Sequence, residues 1–183
     1  SEVEKAEKDV RDLLKDLRRV SEKVKRAVED LLRDLKRTSD KASEDAKRLL
    51  DDLRRKVEER GGDRLRDEVR EAEKEVEKLL RENNTEVDKV RKELEDELRR
   101  NEEMVRTVER RLRELLERIK RIEEDRVVKE ILDEVEKLIR EIKKHSEDLL
   151  RKVRKDIKRV KDHTKRVLDR IRKLIEDIKR RLE

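Results

Sequence analysis

The chain has 183 residues, 60% of them charged and 31% apolar, with no Phe, Trp, Tyr, Pro or Cys. Without cysteine there is no disulfide framework, no thiolate nucleophile and no Cys-based zinc site, and no apolar run approaches the roughly 18 residues of a membrane span or forms a signal-peptide core. High charge with few aromatics usually means disorder, but here 58 basic and 52 acidic residues are interspersed and the apolar ones are periodic, the mark of long helices or coiled coils. Ser1 in place of an initiator Met leads us to expect a trimmed or tagged start, and the compartment is left open.

Ser1 and Glu4 fit a capping box, in which each side chain satisfies a free N–H at the helix start. From Val3 to Val57 apolar residues recur with a mean step of about 3.6, where a strict 3.5 repeat would impose a left-handed supercoil. Leu-Leu pairs at 13/14, 31/32 and 49/50, each followed by Leu17, Leu35 or Leu53, give an 18-residue repeat. Gly61-Gly62 ends this helix, with glycine expected to supply a left-handed conformation and Asp63 expected as the next N-cap.

The second helix carries its stripe through Leu65, Val76, Leu79/Leu80, Val90, Leu98, Met104/Val105, Leu115/Leu116 and Ile119. A straight continuation would put the next doublet at 133/134, yet it falls at Ile131-Leu132. Two residues of slippage turn the stripe by about 200°, so a break is expected at Glu123-Glu124, with Asp125 as N-cap. The third helix then runs to the end of the chain. The expected fold is all-α, a single elongated domain over 1–183. It is an antiparallel up-down-up three-helix bundle of nearly straight helices at about 2–60, 64–122 and 126–182, roughly 90 Å long at 1.5 Å per residue.

Polar residues interrupt the stripes at the same 18-residue step: Ser21 and Thr38/Ser39, Asn101 and Asn83, His145/Ser146 and His163/Thr164. If the first two helices are antiparallel about the Gly-Gly turn, residues at one height have numbers adding to about 122, as Ser21 with Asn101 and Ser39 with Asn83 do. About Glu123 the value is about 246, which Asn101 with His145 and Asn83 with His163 meet. Two buried layers follow, Ser21/Asn101/His145/Ser146 and Thr38/Ser39/Asn83/His163/Thr164. Asn, hydroxyls and neutral His can satisfy one another, and sliding a helix by a turn would set them against leucine, so the layers penalise wrong registers and wrong oligomers. With both histidines buried and neutral, stability would fall on acidification.

Charge divides by segment. Residues 63–125 hold 18 basic against 22 acidic residues, net −4; residues 126–183 are net +8 and residues 1–62 net +2. Opposite neighbours favour one arrangement, as specificity more than as stability. His145 and His163 are 18 helical residues, about 27 Å, apart and cannot share an ion, so no metal or cofactor is expected. Ser146 and Thr164 adjoin histidines without the cleft and oxyanion donors that nucleophilic catalysis needs, and no enzyme activity is expected. Arg151–Lys173 holds 12 basic residues against 3 Asp, enough for non-specific attraction to phosphate backbones. It has no aromatics for stacking, so a solvated or pairing face is expected in place of nucleic-acid binding.

The near-repetition of LLKDLRR, LLRDLKR and LLDDLRR, the absence of aromatics and the two matched polar layers resemble de novo designed helical bundles. More narrowly, the chain is similar to parametrically generated straight three-helix bundles with buried hydrogen-bond networks. Spectrin-like repeats, the natural comparison, usually place aromatics in the core. The resemblance implies a scaffold without natural activity, a monomer needing no partner, whose layers set helix register. The alternatives are an interaction module with designed partner helices, or a bundle switched by pH.

Overall fold

The computed structural model describes residues 1–182. Three helices account for nearly all of them: α1 (Glu2–Arg60), α2 (Asp63–Lys120) and α3 (Asp125–Arg180). They pack as an all-α three-helix bundle. Each is amphipathic at the helical period, so one stripe is buried and the rest is charged.

The chain divides into two compact units. Residues 1–30 and 93–154 form the first, with its core built on Val10, Leu17, Leu112, Leu115, Ile119 and Val135, each at most 1% exposed. Residues 31–92 and 155–183 form the second; among its described residues Ala46, Leu53, Val76, Ile171 and Ile175 are equally buried. Cross-helix pairs, each lying within one unit, fix the directions. Along α1 and α2, or α2 and α3, partner numbers rise on one helix as they fall on the other, as for Arg18–Glu109 with Lys25–Glu102 and for Glu86–Arg159 with Glu75–Arg170. Along α1 and α3 they rise together, Asp34–Lys161 and Asp52–Lys179. The helices therefore alternate up, down, up.

The helix ends fall close to their expected places, but by different chemistry. Gly61 does not adopt a left-handed conformation, since no residue has a positive φ among those described. Its N–H donates to the Val57 carbonyl at 2.7 Å, and a Cβ there would lie 2.8 Å from that oxygen and 2.9 Å from Val57 Cγ1. Close approach is what demands glycine. Asp63 and Asp125 are already the first helical residues. The Gly62 carbonyl accepts from the Leu65 and Arg66 amides, and the Glu124 carbonyl from Val127 and Val128, so the capping positions lie one residue earlier than expected. α2 closes with i to i+3 bonds, Arg118 to Arg121 and Ile119 to Ile122, which tighten its last turn without glycine. At the start of α1, the Glu4 amide donates to Ser1 Oγ at 3.3 Å, and the reciprocal half of the expected capping box is an ion pair, Glu4 Oε2 lying 3.8 Å from the Ser1 ammonium.

One apolar expectation fails. Met104 is 42% exposed, because Asn101 and Val105, four residues apart, occupy the buried stripe there and leave 104 on the flank.

Candidate functional site in two polar layers

In the first unit, α2 presents Asn101 inward at 1% exposure. Ser146 of α3, 2% exposed, donates from Oγ to Asn101 Oδ1 at 3.2 Å, and His145 Nδ1 lies 3.0 Å from the same oxygen. A carbonyl oxygen only accepts, so His145 carries a proton on Nδ1. His145 is not buried, contrary to expectation: it is exposed and reaches the layer from outside. The α3 stripe explains this. Val128, Ser146 and Thr164 share one phase at the 18-residue step and are all buried, whereas 145 and 163 share the phase of half-buried Val127. Ser21 is half-buried, and among the described residues no hydrogen bond joins it to Asn101. The first layer is thus Asn101, Ser146 and His145.

In the second unit, Asn83 is 2% exposed and its Oδ1 accepts from Thr164 Oγ1 at 3.0 Å. That hydroxyl lies equally close to the Val160 carbonyl, its own helix's i−4 acceptor. Ser39 is buried as expected but donates to Oδ1 of Asn84, not of Asn83, at 3.2 Å. Asn84 was missed by sequence reasoning because its own position is exposed; only the adjacent Asn-Asn pair hinted at it. Thr38 does not join the layer, its hydroxyl donating to the Asp34 carbonyl at 2.9 Å. His163 is half-buried and makes no hydrogen bond in the layer among the described residues. No buried side-chain nitrogen or oxygen among the described residues lacks a partner, so neither layer holds an orphaned group that would cost about 1–3 kcal/mol.

Each layer adjoins a surface groove. His145 lines one of about 340 Å³ with Met104, Leu149 and the ion pair Glu97–Lys152, and Thr164 lines one of about 460 Å³ with Thr38, Ala42 and Leu168. Among the described residues no hydroxyl donates to an imidazole, the arrangement that activates a nucleophile. No three His, Asp or Glu side chains there are gathered as a metal-binding set.

A feature outside the layers shares their spacing. Asp16, Asp34 and Asp52, the Asp of each Leu-Leu-x-Asp-Leu repeat, bond to Lys143, Lys161 and Lys179 of α3. The Lys143 hydrogen bond, helped by Arg19, holds the Asp16 carboxyl below its ordinary value, and Lys179 does the same to Asp52. The signal was present in the sequence as two sets of 18-residue steps. No family model matches the chain, and no curated protein or solved structure matches it either.

Proposed function

We propose that the chain is a structural scaffold of the de novo designed kind, with no natural biochemical activity, whose Asn-centred layers specify which helix heights meet. One observation carries the reading. In each unit an asparagine of α2, at most 2% exposed, takes the hydroxyl of a buried α3 residue that a leucine or valine could otherwise replace. Buried polar groups of this kind are weak stabilisers and good discriminators, because a shifted register strands them against apolar side chains. The apolar stripes supply the need, since they stay in phase when one helix slips by a few turns, whereas such a slip strands polar residues of at least one layer against apolar side chains. A scaffold needs no substrate, cofactor or partner, and a monomer is its expected state.

The test is the double variant Asn83→Leu/Asn101→Leu. It should keep its helicity and lose its single oligomeric state, eluting as a mixture of species by light scattering coupled to size exclusion. A variant that remained one clean monomer would remove the specificity role.

A further inference from the structure

Beside its buried stripe each helix has two edges, one toward each neighbour, and the edges differ in charge. The α1 edge toward α2 is basic. Arg18 and Lys25 face Glu109 and Glu102, each at 3.9 Å, in the first unit, and Arg54 meets Glu73 at 2.6 Å in the second. The α1 edge toward α3 is acidic. Asp16 pairs with Lys143 in the first unit, and in the second Asp34 pairs with Lys161 and Asp52 with Lys179, both at 2.7 Å. Between α2 and α3 the acid comes from α2: Glu97 with Lys152 in the first unit, Glu86 with Arg159 and Glu75 with Arg170 in the second. Arg111–Glu134 is the one reversal of that order among the described pairs. α2 is thus acidic toward both neighbours and α3 mostly basic toward both. Only α1 is split.

A three-helix bundle can close with its third helix on either side of the first two, and an apolar stripe serves both turns at the same register. We propose that the split charges of α1 choose between them. In the other turn every helix exchanges its edges. The acidic edge of α1 then meets the acidic edge of α2, and the basic edge of α1 meets the basic edge of α3. Two of three interfaces become like-charged, while the third stays attractive. Single exposed pairs stabilise little, but the choice rests on the difference between attraction and repulsion along two whole interfaces. The whole pattern stands in the second unit; in the first, Arg111–Glu134 offsets Glu97–Lys152 between α2 and α3, and the split of α1 holds in both. Register is equal in both turns, so this goes beyond the reading of the polar layers.

Ser39 Oγ and Asn84 Oδ1, 3.2 Å apart across α1 and α2, offer a reporter. The other turn would swing Asn84 toward α3. The chain has no cysteine, so Ser39→Cys/Asn84→Cys closes a disulfide within one chain only in the observed turn, and its charged residues are untouched. In that background, Asp16→Lys/Asp34→Lys/Asp52→Lys leaves one like-charged interface in either turn, and closure in a glutathione redox buffer should fall to about half. Adding Lys143→Asp/Lys161→Asp/Lys179→Asp should restore it. Exchanging both α1 edges (the three Asp→Lys changes with Arg18→Glu, Lys25→Glu and Arg54→Glu) should abolish closure in a monomer that stays helical by circular dichroism. Closure at the parental level in the triple and exchanged variants would overturn the proposal. If the exchanged variant does not fold as a monomer, the triple and sextuple variants decide alone, and equal closure in those two overturns it. Loss of register would instead appear as closure between chains, so the two failures are distinct.

Discussion

Asn101 Oδ1 takes two hydrogen bonds, from Ser146 and His145, whereas Asn83 Oδ1 takes one from a threonine that has a second acceptor at the Val160 carbonyl. The two asparagines should therefore respond differently to replacement. Asn101→Leu strands a buried Ser146 hydroxyl, at a cost of about 1–3 kcal/mol set against the gain from apolar packing. Asn83→Leu leaves Thr164 satisfied. Chemical denaturation should find Asn83→Leu at least about 1 kcal/mol more stable than Asn101→Leu, and adding Ser146→Ala to the latter should close most of the gap. His145 is exposed and His163 half-buried, so the acid sensitivity expected of two buried histidines loses its premise. The acid-sensitive groups are Asp16 and Asp52, held below the ordinary value of 3.8 chiefly by Lys143 and Lys179. A depressed folded pKa means that the unfolded chain binds more protons below about pH 4. The pairs' contribution is therefore present above that point and is lost as pH falls through the folded values. Lys143→Met/Lys179→Met should flatten the stability profile below pH 4 and lower it by a constant amount above pH 5. An identical acid limb in parent and variant would show that the pairs are not formed.

At the scale of the element, the two glycines of the first turn have different reasons to be there. A methyl at Gly61 would meet the Val57 carbonyl at 2.8 Å, a backbone atom that cannot swing away, while one at Gly62 would meet nothing within 4 Å. Neither has a positive φ. Gly61→Ala should cost about 1–2 kcal/mol through displacement of the helix end. Gly62→Ala should be nearly neutral, because the roughly 0.4–1 kcal/mol gained by restricting the unfolded chain is offset by alanine's poor fit at the capping position that Gly62 occupies. Thermal melts of the two single variants check the difference, and equal effects would mean that the turn is not formed as described.

For the whole molecule, three helices from one chain must provide what separate chains provide in a coiled coil. Apolar stripes alone do not decide this, since they repeat every 18 residues and fit many partners. Bonds such as Asn101 to Ser146 and Lys161 to Asp34 join distant parts of the one chain. Asn101→Cys/Ser146→Cys, in a chain otherwise free of cysteine, should form a disulfide within the monomer at micromolar concentration and run as a monomer on a non-reducing gel. A ladder of covalent oligomers would place the bundle between chains.

Helix number, approximate ends, alternation and the height at which Asn83, Asn101, Ser146 and Thr164 meet were all legible without coordinates. Each follows from a period, and periods are local: 3.6 residues set the stripe, glycine and slippage broke it, and the 18-residue step carried heights between antiparallel helices. What the sequence left open was rotation within about one residue. Histidine 145 and serine 146 differ by about 100° around α3, and that angle makes Ser146 core and His145 surface. The same angle sends Ser39 to Asn84 instead of Asn83 and puts Met104 outside. It also decides which edge of α1 faces α3. That edge depends on where the third helix closes the bundle, a choice made by contacts among all three helices at once and by no stretch of the chain alone.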